Sequence, residues 1–126
     1  MIFGIGTDIV QICRLEDALS RYGQRFAERI LAPSEIERFN RYVRPANFLA
    51  KRFAAKEAVA KAFGTGFRDG LSLRHIIVDN DDHGRPLLQF EETASILAER
   101  FEISASHLSL SDENDYAVAM VVLETG

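Results

Sequence analysis

Residues 47–66 read Asn-Phe-Leu-Ala-Lys-Arg-Phe-Ala-Ala-Lys-Glu-Ala-Val-Ala-Lys-Ala-Phe-Gly-Thr-Gly. The segment predicts one well-formed helix. Asn47, just after Pro45, is a candidate N-cap, the interior is rich in Ala, Lys and Glu, and Gly64 stands where a left-handed C-terminal cap is wanted. At about 100° per residue, Glu57 and Lys61 share a face with Ala50, Phe53, Ala54 and Ala60, the small apolar side that a helix normally turns inward. A carboxylate there needs a partner. Two readings stay open: an ordinary ion pair four residues apart, worth about 0.2–0.5 kcal/mol if exposed, or a site where Glu57 holds a cation and Lys61 meets an anion beside it.

Upstream, residues 2–10 (Ile-Phe-Gly-Ile-Gly-Thr-Asp-Ile-Val) alternate as a strand. Ile2, Gly4, Gly6 and Asp8 fall on one face, with Phe3, Ile5, Thr7 and Ile9 on the other. Glycine weakens a strand and commonly marks a close approach by something else, here beside Asp8. That carboxylate is either a ligand or a strand-end residue at the entry to a helix. The Gly-x-Gly is weak on its own, since no third glycine or βαβ unit follows.

Between these segments lie short helices. Residues 12–22 turn Leu15, Ala18, Leu19 and Tyr22 inward; Gly23 interrupts, and a second helix carries Phe26, Ala27 and Ile30 with Arg25 and Arg29. Ser34 and Glu37 form a capping box for a third containing Ile36 and Phe39. Beyond Gly66 the pattern becomes β. Residues 73–79 and 86–90 form a hairpin around an Asp- and Asn-rich turn, with Pro86 opening the returning strand. A helix over 91–101 follows, then an alternating strand with His107, Ser109 and Ser111 on one face, and a final strand over 116–123 apolar on both faces. Such a strand is central, or is covered by another subunit. The expected fold is α+β, with an antiparallel or mixed sheet, one long central helix and short flanking helices.

A chain of 126 residues predicts one domain over residues 1–126, with a core of useful size. The 47% hydrophobic and 27% charged content is that of a globular protein. No apolar run approaches the roughly 18 residues of a membrane helix, and residues 1–10 lack the basic start and cleavage site of a signal peptide, so a cytoplasmic protein is expected. The single cysteine, Cys13, excludes an internal disulfide and, between Ile12 and Leu15, reads as a small buried apolar group. His75, His83 and His107 show no zinc-type spacing. Net charge is −4, yet residues 14–61 hold eleven Lys or Arg against six acids. Such concentration suits a particular anionic partner better than general nucleic-acid binding.

Gly4-Ile-Gly-Thr-Asp-Ile-Val10 together with Phe48-Leu-Ala-Lys-Arg-Phe-Ala-Ala-Lys-Glu-Ala58, Lys61 and Ala62-Phe-Gly-Thr-Gly66 resembles the holo-[acyl-carrier-protein] synthase family of the 4′-phosphopantetheinyl transferase superfamily. The likeness continues through residues 25–31, through Gly84-Arg85-Pro86 and through His107-x-Ser109, and so spans essentially the whole chain.

The resemblance implies Mg²⁺-dependent transfer of the 4′-phosphopantetheine arm of coenzyme A to a serine of apo acyl carrier protein in fatty acid biosynthesis, releasing adenosine 3′,5′-bisphosphate. It implies Asp8 and Glu57 as Mg²⁺ ligands, a role suited to carboxylates that leave room for phosphate oxygens and water. Lys61 would contact the phosphates, and Glu57, or a water it orients, would be the base, although a carboxylate on a cation is a poor one. By match to the family pattern Arg52, Gly64, Arg85, Pro86 and His107 lie around the coenzyme A nucleotide. Arg14, Arg25 and Arg29 meet the acidic recognition helix of the carrier, which accounts for the charge asymmetry. Members of this length are homotrimers with active sites at subunit boundaries. The competing reading is a non-catalytic oligomeric module that binds an anion or nucleotide; it explains the basic helices but not two carboxylates beside Lys61. A carrier domain of secondary metabolism is a third possibility, against which the single-half length argues.

Overall fold

The computed structural model describes residues 1–126. In chain order the elements are β1 (Ile2–Gln11), α1 (Ile12–Tyr22), α2 (Gln24–Ile30), α3 (Pro33–Arg41), α4 (Pro45–Phe63), a 3₁₀ turn (Leu73–His75), β2 (Ile76–Asn80), β3 (Pro86–Phe90), α5 (Glu92–Arg100), β4 (Ile103–Asp112) and β5 (Tyr116–Thr125). The fold is α+β, and every strand pairing is antiparallel: one sheet has the order β1-β5-β4, and β2 pairs with β3 in a second.

The long helix starts two residues before the expected cap. Pro45 occupies the first turn, Arg44 is the N-cap, and Asn47 makes no cap. Proline suits that place because its missing N–H is one the helix would leave unbonded anyway. Gly64 ends the helix in the left-handed conformation (φ 80°), its N–H on the carbonyls of Ala60 and Lys61. Between these ends α4 is buried almost all round, because β1, β5 and the short helices enclose it. Phe53, Glu57 and Lys61, spaced four apart, form a stripe open to the surface, and Asn47 and Lys51 are part-exposed near the start of the helix. Glu57 and Lys61 therefore lie on the uncovered side of the helix and not on its inward face.

The glycines of β1 make this packing possible. A Cβ on Gly4 would stand 1.9 Å from the carbonyl oxygen of Ala62, and one on Gly6 would stand 1.8 Å from that of Ala58. The space they clear is filled by the backbone of α4, not by a ligand. Two residues along the strand pass four along the helix, so strand and helix run in opposite senses, and Asp8 comes next on the same face.

β5 is the central strand, with Ala117, Ala119, Val121 and Leu123 wholly buried towards α4. The opposite face aligns Ile5, Val122 and His107, then Thr7, Met120 and Ser109, then Ile9, Val118 and Ser111. Nothing in the chain covers this face: Ile5 is 58%, Ile9 63% and Met120 47% exposed.

Local details depart from the sequence expectation. Glu35 rather than Glu37 serves the start of α3, accepting the N–H of Ala32 at 2.9 Å. Residues 73–75 form a 3₁₀ turn before the strand begins at Ile76. Tyr22 is exposed at the end of α1, and Cys13 is exposed rather than buried, because the inward stripe of that helix is carried by Ile12 and Leu15. The hairpin turn is closed by Asp81, whose Oδ1 accepts the N–H groups of His83 and Arg85. Those bonds hold its carboxyl below the usual range. No helix is long and apolar enough to cross a membrane.

Candidate active site

The crossing of β1 and α4 brings together residues more than fifty apart in the chain. Lys61 Nζ donates to Asp8 Oδ1 at 3.1 Å and to the Thr7 carbonyl at 2.9 Å. Lys61 thus pairs with Asp8 across the crossing, and no ion pair joins it to Glu57 one turn below. The second carboxylate oxygen, Asp8 Oδ2, is buried with no hydrogen-bond partner. A bare carboxylate oxygen out of water is costly, so such an atom calls for a donor or a cation.

Glu57 lies on the same cleft, of about 340 Å³, lined also by Arg14, Phe26 and Phe53. Burial raises the Glu57 carboxyl above its ordinary value, Asp8 raises it further, and Lys61 opposes both. A carboxylate whose charge is costly beside a second one with an unpartnered oxygen forms a donor set suited to a hard divalent cation sharing its remaining positions with phosphate and water. The residues present therefore fit a magnesium ion. Fewer than three acidic or imidazole side chains converge, so a closed all-protein cage is absent.

The other residues singled out from sequence lie in several separate places. Gly64 ends α4 one turn beyond Lys61. Arg52 and Pro86 line a separate cleft of about 430 Å³, with Arg38, Arg41, Lys51, Tyr42 and Gly84, while Arg85 is exposed in the hairpin turn beside it. Arg52 is five residues before Glu57, about 140° round the helix, and so faces away from the carboxylates. Its guanidinium lies 3.8 Å from the centre of the Phe48 ring. Burial lowers Arg52 to about 10, with Glu35 opposing. His107 is on the outer sheet face, the side of the sheet away from α4, with Nε2 3.0 Å from Glu124 Oε1. Of the three arginines singled out, Arg14 lines the carboxylate cleft, and Arg25 and Arg29 line a neighbouring one.

Sequence reasoning missed the buried ionic centre behind the site. Lys56, fully buried, donates to Glu35 Oε1 and to the Ile30 carbonyl at 2.8 Å, while Glu35 Oε2 accepts the Val78 N–H at 3.0 Å and stands 3.9 Å from Arg52 Nε. Burial draws the Lys56 ammonium down to about 8 against the pull of Glu35. This centre ties α2, α3 and β2 to the turn of α4 that carries Glu57. The available signal was that residues 46–63 have no continuous polar face, so some of their charges had to be buried.

Comparison with known proteins places this geometry among relatives. Residues 4–121 match the family model described as 4′-phosphopantetheinyl transferase superfamily. The chain is 56% identical over 126 residues to holo-[acyl-carrier-protein] synthase of Halorhodospira halophila, covering 100% of both chains. Among solved structures, that of holo-[acyl-carrier-protein] synthase from Neisseria meningitidis is 47% identical with a TM-score of 0.94, over 99% of this chain and 100% of that one. The Bacillus anthracis enzyme in complex with CoA (3′,5′-ADP) is 41% identical with a TM-score of 0.85, over 100% and 99%.

Proposed function

Because the chain belongs to the holo-[acyl-carrier-protein] synthase family of the 4′-phosphopantetheinyl transferase superfamily, we propose that the cleft of Asp8, Glu57 and Lys61 is where it transfers phosphopantetheine from coenzyme A to a serine of apo acyl carrier protein. The observation that carries the assignment is the buried, unpartnered Oδ2 of Asp8, a residue that lines one cleft with Glu57. A non-catalytic anion binder gains nothing from that arrangement.

Asp8 and Glu57 hold magnesium in this reading, and the ion supplies charge neutralisation and polarisation of the phosphate. The serine oxygen attacks the β-phosphorus of coenzyme A, the bond to the α-phosphate oxygen breaks, and adenosine 3′,5′-bisphosphate leaves. Phosphoryl transfer of this kind asks the protein mainly for position and charge. Lys61 has the reach to release Asp8 and meet the phosphate that gains charge as its bond breaks, being half exposed beside Asp8. Glu57 takes the serine proton, directly or through a water it holds.

The nucleotide end is assigned to Arg52, Arg85, Pro86 and His107, with Gly64 ending the helix beside Lys61. The hairpin and outer-sheet residues are supplied to each centre by a neighbouring copy. Two facts support an assembly built this way, which we read as a homotrimer. His107 lies on the other face of the sheet from Asp8 of its own chain, and the face that carries His107 also exposes Ile5, Ile9 and Met120. Large exposed apolar patches mark interaction surfaces. Fatty acid biosynthesis in the cytoplasm is the setting this reading assigns.

The test is the intact mass of purified apo acyl carrier protein incubated with this protein, coenzyme A and Mg²⁺. The expected result is a gain of one phosphopantetheine, lost when the cation is chelated. Binding of both substrates without any gain would overturn the transferase reading in favour of the anion-binding module.

A further inference from the structure

We propose that Arg74 on the 3₁₀ turn adds a second wall to the carrier-docking cleft of α1 and α2 and meets an acidic helix of the carrier protein, reaching beyond Arg14, Arg25 and Arg29. The inference rests on the reading of Arg14, Arg25 and Arg29 as carrier contacts and extends it to a residue that neither sequence pattern nor family likeness marked out.

The cleft, of about 860 Å³, is lined by Arg21, Arg25 and Arg29 from α1 and α2 and by Arg74 from the 3₁₀ turn. Against these four cations it holds one carboxylate, Glu28. Several other basic residues are engaged: Arg38 with Asp79, Arg41 with Glu37, Lys51 with Asp112, Lys56 with Glu35 and Lys61 with Asp8. None of the four cleft arginines forms an ion pair within the chain. Four cations without an intrachain counter-charge therefore face one cleft, in a protein whose net charge is −4.

Arg74 is aimed rather than loose. Its Nε donates to the Leu31 carbonyl at 3.3 Å, just past the end of α2, and its two terminal nitrogens make no bond within the chain. The guanidinium is thus fixed near the second wall with its terminal donors free for carboxylates. Tyr22 and Phe26 add apolar surface to the same cleft. An occupant with acidic edges and an apolar stripe matches that surface, which is the form of an amphipathic helix.

Continuity with the chemistry selects the partner. Phe26 lines this cleft and also the carboxylate cleft of Asp8 and Glu57. A helix seated between Arg25 and Arg74 therefore has its end next to the reacting centre, where a serine at that end would be delivered. A free nucleotide would occupy the arginines without using this connection.

The experiment compares steady-state transfer to apo acyl carrier protein by the full protein and by Arg74→Glu, Arg74→Gln, Arg74→Lys and Arg25→Glu, with coenzyme A binding measured separately by calorimetry. Charge reversal at Arg74 is expected to raise KM for the carrier about tenfold, with kcat within about twofold and coenzyme A affinity unchanged. Arg74→Lys keeps the cation but loses the geometry that bonds Leu31, so near-normal KM in Lys with raised KM in Gln assigns the effect to charge and not to fold. The penalty of Arg74→Glu should shrink as salt rises, and an acid-to-lysine change in the carrier helix should recover part of it. If Arg25→Glu raises KM and Arg74→Glu does not, the two-walled cleft is wrong while carrier docking on α2 stands. If neither variant moves KM, the carrier docks elsewhere and both readings of this surface fail.

Discussion

Asp8 and Glu57 are set apart by the opposite ways in which the fold leaves them unsatisfied: one has a buried oxygen without a donor, the other a carboxyl that burial makes reluctant to ionise. Asp8→Asn and Glu57→Gln should each lower transfer by at least about 100-fold, the scale on which removing one preorganised charge-stabilising group is felt, while leaving the fold intact by circular dichroism. The Glu57 shift also makes a claim about stability. An acid whose folded value is raised binds its proton more tightly in the native state, so its contribution is fully present at low pH and is lost as pH rises through the folded value. At neutral pH the ionised Glu57 therefore costs the fold something that glutamine does not. Without added cation, Glu57→Gln should melt above the parent at pH 7 to 8, and the gap should close as pH falls through the ordinary glutamate range and below it. A parent that melts higher at pH 7 would contradict the assigned electrostatics.

At the scale of elements, the site depends on how closely β1 and α4 approach. Gly6→Ala would put a methyl group 1.8 Å from the Ala58 carbonyl, against backbone on both sides. Neither element can yield without moving, so urea unfolding should show a loss of about 1–3 kcal/mol or more. Activity should fall as well, because displacing α4 separates Lys61 from Asp8. The Glu35–Lys56 pair holds the same helix from behind. Breaking a buried pair strands a charge, and Glu35→Gln should cost about 3–5 kcal/mol in the same unfolding measurement. Replacing both partners by apolar residues of similar size, Glu35→Leu with Lys56→Met, should recover most of that loss, since a well-packed apolar pair needs no counter-charge. A double variant no more stable than Glu35→Gln would mean that the hydrogen bonds to Ala32 and Val78, not the charge pairing, hold the region.

For the whole molecule, the outer sheet face and the position of His107 make a joint claim. Ile9→Asp, on a face with no cover from the chain itself, should leave the fold of each copy unchanged but yield monomers in sedimentation velocity. It should also lose transfer activity, since each centre would lack the His107 and hairpin residues of its neighbour. An active monomer would refute the shared site. Read as sequence, the chain determined α4 and its left-handed end at Gly64, the strand with glycines on the face of Asp8, and a last strand apolar on both sides. Each of these comes from local periodicity or from the conformational needs of one residue, information that neighbouring positions in the chain carry. The small face of α4 also showed that the helix would be packed tightly. Which side stayed open was not legible there, because a helix apolar nearly all round has no polar face by which to choose. Tertiary structure alone decided that Gly4 and Gly6 admit the helix backbone, that Lys61 pairs with Asp8 instead of Glu57, that Lys56 and Glu35 are buried together, and that Arg52 and His107 face away from the carboxylates of their own chain. Those facts join residues from about twenty to more than fifty positions apart, and such distances are set by how elements pack, which no stretch of sequence encodes by itself.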